Sequence, residues 1–184
     1  MVSNARATPY LNEVAVRAFY FNQSFYNGRH ALRRIIDIYE KELPESTLEY
    51  AQALVYLGDF YLALNRKWNA MSNYDKAYTM LLEINVNSEE PGLIFGKPRR
   101  LQPLYAPGTA ITVLDQSQYV DAIFDVASNG WPRNIQILST HPEDNIELIT
   151  RGRYAIASTR YRPRFENGLP VDTEGVSLRY VFGR

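Results

Sequence analysis

The chain has no cysteine, which excludes a disulfide framework, a thiolate-bound zinc or iron–sulfur centre and a thiol nucleophile. Histidine is scarce as well, with only His30 and His141, far apart in the chain. A zinc enzyme or a Ser-His-Asp hydrolase would have to be assembled from that pair, so no catalytic group, no metal and no organic cofactor is expected. Charge of one sign is also missing. Lys plus Arg is 20 and Asp plus Glu is 20, so no whole-chain field exists to draw in nucleic acid or an anionic membrane. No stretch reaches the roughly 18–20 apolar residues needed to span a bilayer, and Met1–Tyr10 lacks the basic-then-apolar layout of a signal peptide. What is present is a globular composition: 46% apolar and 22% charged over 184 residues, room for one ordinary domain or two small ones.

Residues 10–90 are poor in helix breakers, with Gly28 and Gly58 and, between Pro9 and Pro91, only Pro44. Apolar side chains recur there at three- and four-residue steps: Val14, Phe19 and Phe25, then Leu32, Ile35, Ile36 and Tyr39, then Tyr50, Leu54, Leu57, Phe60 and Tyr61. Breaks are expected at Asn27-Gly28, around Pro44 and at Asn65-Arg66-Lys67, and Ser46 with Glu49 has capping-box spacing. The pattern predicts about four helices joined by short turns. Leu54, Leu57-Gly58, Tyr61, Ala70, Tyr74 and Ala77 fall at the offsets of a tetratricopeptide repeat. Gly58 and Ala70 are small where two helices cross closely, and the larger residues fill the gaps around them. A degenerate earlier copy places Ala31 in the role of Ala70 and Phe19 in the place of Gly58.

Residues 91–117 read as a linker, because Pro91, Pro98, Pro103 and Pro107 alternate with Gly92, Gly96 and Gly108 around the basic run Lys97-Pro98-Arg99-Arg100. Beyond it the period changes from 3.6 to 2. Val120, Ala122, Phe124 and Val126 alternate with Tyr119, Asp121, Ile123 and Asp125, which predicts a half-buried strand. Asn129-Gly130 turns the chain into a second strand through Ile135 and Ile137. A helix follows, its first turn capped by Asp144 with Glu147 and its apolar stripe formed by Ile146, Ile149, Tyr154 and Ala157. Arg160–Phe165 is extended, Asn167-Gly168 turns, and a last strand over 175–182 points Val176, Leu178, Tyr180 and Phe182 inward. The predicted class is α+β, with domains at 1–90 and 118–184 and a β-β-α-β order in the second.

This second block resembles the TonB C-terminal domain family. The residues that carry the likeness are Val120–Val126, Asn129-Gly130, Asn134–Ser139, Ala155-Ile156-Ala157, Arg160-Tyr161-Arg162-Pro163, Asn167–Val171 and Val176–Phe182. The resemblance implies a periplasmic, non-enzymatic module that links an inner-membrane motor to outer-membrane receptors and binds a receptor segment as an added strand. Coupling of that kind requires a membrane anchor upstream of Met1, whereas a scaffold that merely retains the fold does not.

Three sets of residues are candidates for partner binding. The first is the outer side of the last strand, Ser177, Arg179 and Val181, which could equally pair two copies of the chain. The second is a concave groove of the helical repeats, lined by Val16, Tyr20 and Gln23 and by Gln52, Val55, Asp59 and Leu62. The third is the basic set Arg160, Arg162 and Arg164, within a 151–184 tail holding seven basic and three acidic residues. Its interleaved aromatics Tyr161 and Phe165 fall in the core-facing phase, which argues against nucleic acid. Asp121 and Asp125 read as a solvent face, His30 and His141 as helix-capping residues, and Trp68 and Trp131 as packing residues.

Overall fold

The computed structural model describes residues 25–42, 47–84, 89–101 and 118–182. They form two compact units, one mainly helical, of the residues up to Gly96 with Asn167–Leu169, the other of Lys97–Glu166 and the residues from Pro170 on, built on antiparallel sheet. The class is α+β. The expected first helix, with Val16, Phe19, Tyr20 and Gln23, lies outside the described residues, as does Pro44.

In the helical unit α1 spans Phe25–Glu42, α2 Leu48–Ala63, α3 Lys67–Ile84 and α4 Glu90–Phe95. Helix α1 runs through Asn27-Gly28, so the break expected there is absent; one Gly near a helix start costs only about 1 kcal/mol. Its buried face is Leu32, Ile35, Ile36 and Tyr39, set against α2. The α2 cap is Thr47, one residue after the expected Ser46, and its hydroxyl accepts from the Tyr50 N–H at 3.2 Å. Helix α2 stops in a left-handed Asn65, where the Arg66 N–H reaches the Tyr61 carbonyl at 2.8 Å and the Asn65 N–H reaches Leu62 at 2.9 Å. These are the two bonds of a Schellman stop. The hairpin of α2 and α3 then closes over Leu54, Leu57, Tyr61, Ala70, Tyr74 and Ala77, all buried. A Cβ on Gly58 would lie 2.4 Å from the Tyr74 ring, so it is Tyr74 that demands a glycine at the crossing. Tyr74 donates to Asp59 at 2.7 Å. Glu40, Tyr50 and Lys76 join all three long helices through bonds of 2.6–3.0 Å.

The linker expected over 91–117 is structured where it is described. Pro91 starts α4 in the position where its missing N–H costs nothing, and Phe95 is fully buried edge-on to Tyr74 at 5.9 Å. Strand β1, Arg99–Arg100, belongs to the second unit and pairs antiparallel with β4, Tyr161–Arg162.

The main sheet of the second unit has three strands in the order β3-β2-β7: β2 Tyr119–Val126 lies between β3 Pro132–His141 and β7 Thr173–Val181. Helix α5, Ile146–Ala157, covers one face; β5 Arg164–Glu166 and β6 Leu169–Val171 make a small separate hairpin. Val120, Ala122, Phe124 and Val126 are buried as the alternation predicts, packed by Ile135, Ile137, Val176, Leu178 and Tyr180. The stripe that α5 buries is Leu148, Gly152 and Ile156, not the expected Ile146, Ile149, Tyr154 and Ala157; Ile146 and Tyr154 are exposed. The reason is Gly152, at which a Cβ would stand 2.6 Å from Val120 Cγ2, so the helix approaches the sheet along its glycine face. Asn145 caps α5, accepting from Leu148 at 3.0 Å, in place of Asp144.

Candidate functional site

Strand β7 is an edge strand, with a neighbour on one side only among the described residues. The Phe182 N–H donates to the Gln118 carbonyl at 2.9 Å, which fixes the phase of the backbone. Because N–H and C=O directions alternate along a strand, Val176, Leu178 and Tyr180 turn theirs to β2, while Ser177, Arg179 and Val181 turn theirs away from the sheet. The three residues singled out in the sequence are therefore those with outward backbone groups.

The other edge is built differently. Opposite β2, strand β3 carries two irregularities, with Leu138 as an extra residue and Asn134 in a left-handed conformation. Such bulges interrupt the row that a further strand would need. Strand β7 has one bulge, at Gly175 with φ +68, and is regular from Val176 to Val181. A single carboxylate holds the bulges on both sides. Asp125 accepts from Asn134 Nδ2 at 2.6 Å and from the Gly175 N–H at 3.0 Å, and these bonds, the Asn134 one foremost, keep its carboxyl below the usual range. Asp125 thus belongs to the framework of the sheet, which its reading as plain solvent face missed.

On the uncovered face of the sheet, Arg179 donates from Nε and Nη2 to Asp121 at 2.7 and 2.9 Å. Its guanidinium lies 4.0 Å over the Tyr119 ring, whose other neighbour is a stacked His141 at 5.4 Å. His141 is consequently a stacking residue and caps no helix. Asp121 also accepts from Ser139, and the Arg179 bonds first of all hold its carboxyl low. On the covered face Arg100 sits 4.5 Å over Tyr180 and Arg151 4.7 Å over Phe182. Three arginines, each laid on a ring, flank the regular part of β7. In the sequence Arg100 belongs to a basic run and Arg151 to the Arg-rich tail, both read chiefly as solvated charge, and nothing local placed either beside the last strand.

The remaining candidates fare less well. Val55, Asp59 and Leu62 are 3%, 3% and 0% exposed, so they form the helical core and line no groove; Gln52 alone of the described set is partly exposed. Helix α2 packs against both α1 and α3, and Asp59 accepts from Tyr74 of α3. Arg160 and Arg162, 7% and 1% exposed, are buried and cannot dock a partner as they stand. Arg160 lies 3.9 Å over the Trp131 ring, and Arg162 is in β4. Arg164 is half-buried and paired with Glu166. Trp68 is 85% exposed, contrary to its reading as a packing residue, while His30 is exposed on α1. Among the described residues no three His, Asp or Glu side chains gather as a metal site, and no helix is long and apolar enough to cross a membrane.

Comparison with protein-family models, with curated proteins and with solved structures gave no match.

Proposed function

We propose that this chain is a protein-interaction module of the periplasm, in which a sheet unit of the TonB C-terminal kind follows helical hairpins of the tetratricopeptide kind. Its last strand takes an extended segment of a partner protein as a fourth strand, and energy-transducing coupling to an outer-membrane receptor is the role that fits such an event. The reading is non-enzymatic. A scaffold that keeps the same fold without coupling is the second reading, favoured by the exposed Trp68 and Leu93 of the helical unit, which offer it a further surface.

One observation supports strand addition above all: the unbroken run Val176–Val181, with the backbone groups of Ser177, Arg179 and Val181 facing outward, beside a bulged β3. Each new backbone hydrogen bond is worth about 0.5–1.5 kcal/mol net, so a few of them with side-chain contacts give useful affinity. The test is Val181→Pro. Its missing N–H is an outward one, so the ladder to β2 keeps its bonds while an incoming strand meets the ring. A random peptide library displayed on phage should yield enriched sequences on the wild-type chain and lose them on the variant. Equal enrichment on a folded variant would place docking elsewhere.

A further inference from the structure

We infer that the segment accepted by β7 is acidic, and that Arg100, Arg151 and Arg179 select it; this rests on the strand-addition reading above. A strand added beside Val176–Val181 alternates its side chains between the two faces of the sheet, in register with β7. On the covered face those side chains run past Tyr180 and Phe182, where the guanidinium groups of Arg100 and Arg151 lie exposed on the rings. On the other face they run past Arg179, whose side chain remains 57% exposed despite its pair with Asp121. Stacking holds the Arg100 and Arg151 guanidinium groups on apolar rings, which leaves their N–H donors for a carboxylate, while Arg179, its Nε and Nη2 given to Asp121, adds positive charge on the open face. Among the described residues Arg179 pairs with Asp121, which Ser139 also engages.

The same charges argue against a second copy as the occupant. A two-fold pairing of β7 with itself would bring both sets of arginines together, and like charges across an interface are costly. A cationic segment meets the same repulsion.

The probes are short capped peptides alternating Val with Glu, Val with Gln or Val with Lys, titrated into the full chain. The Glu peptide should bind about tenfold tighter than the Gln peptide at low salt, as expected for two or three exposed ion pairs. The gap should close near ~0.5 M salt, and the Lys peptide should bind most weakly. Arg100→Gln with Arg151→Gln should bring the Glu peptide to the level of the Gln peptide; Arg179→Gln, which leaves both in place, reads the open face separately. Equal binding of Glu and Gln peptides, both lost in Val181→Pro, would overturn the acidic selection and leave strand addition standing. Binding of no peptide would overturn both. A concentration-dependent dimer in sedimentation, abolished by Val181→Pro, would overturn the choice of occupant.

Discussion

Replacing Gly58 by Ala puts a single methyl against the ring of Tyr74, with 2.4 Å to Cε1 and 2.6 Å to Cδ1. The ring has nowhere to go. Tyr74 is 0% exposed, lies edge-on to Phe95, and is tied by its hydroxyl to Asp59 at 2.7 Å. Two opposing effects must be compared. Ala gains about 1 kcal/mol of helix propensity over Gly. Overpacking of a filled core costs about 1–3 kcal/mol, and tilting the ring enough to relieve it stretches a hydrogen bond to a carboxylate worth about 1.5–3 kcal/mol. The second sum is larger, so Gly58→Ala should destabilise by about 1–3 kcal/mol. Gly92→Ala is the internal control. It also lies within a helix, but a Cβ there meets nothing within 4 Å, so it should be neutral or stabilising by up to about 1 kcal/mol. Urea unfolding of the full chain followed by circular dichroism reads both. If Gly58→Ala were as stable as Gly92→Ala, the close crossing at Tyr74 would be wrong, and the proposed repeat register anchored on Gly58 would go with it.

Burial pushes the Tyr161 hydroxyl up to about 12, and among the described residues that hydroxyl has no hydrogen-bond partner. The unfolded chain ionises near pH 10 and the folded one only near 12, so the contribution is intact below pH 10. It is lost between 10 and 12, by at most about 2–3 kcal/mol; Tyr161→Phe should abolish that part of the alkaline slope and cost nothing at neutral pH. Asp125 titrates low because of Asn134 and Gly175, so its contribution holds above the ordinary carboxylate pKa and fades as pH falls through the folded value. In Asp125→Ala the Gly175 amide should exchange faster with solvent; an unchanged rate would show that the carboxylate does not hold the bulge. Gly175→Ala, at φ +68 with a Cβ only in ordinary contact with Ile123 Cδ1 at 4.0 Å, should cost about 1–2 kcal/mol of backbone strain in thermal melts.

Much of the sheet was legible because period-two alternation is a strong signal when one face is buried. Val120–Val126 and Val176–Phe182 point as expected, and Asn-Gly turns lie at residues 129–130 and 167–168. Helix α5 was misread because its buried stripe is centred on Gly152, which carries no hydrophobicity; only the i, i+4, i+8 spacing of Leu148, Gly152 and Ile156 gave a clue. In the helical unit the register of α2 and α3 was readable from Gly58, Ala70 and Tyr74. Which face of α2 stays open was not, since α2 is packed by both α1 and α3 and Val55, Asp59 and Leu62 are all buried. Arg160 and Arg162 looked like surface charge. Their burial follows from the pairing of β1 with β4, a contact between residues about 60 positions apart that no local pattern announces.

The central claim is that β7 offers an open edge, and amide hydrogen exchange of the full chain tests it residue by residue. In the free protein Ser177, Arg179 and Val181 should exchange fast, and Val176, Leu178 and Tyr180 slowly, because only the second set bonds to β2. Saturation with the Val–Glu peptide should then protect the first set and leave the second unchanged. Protection of Ser177, Arg179 and Val181 before any peptide is added, or no change in them afterwards, would contradict the account.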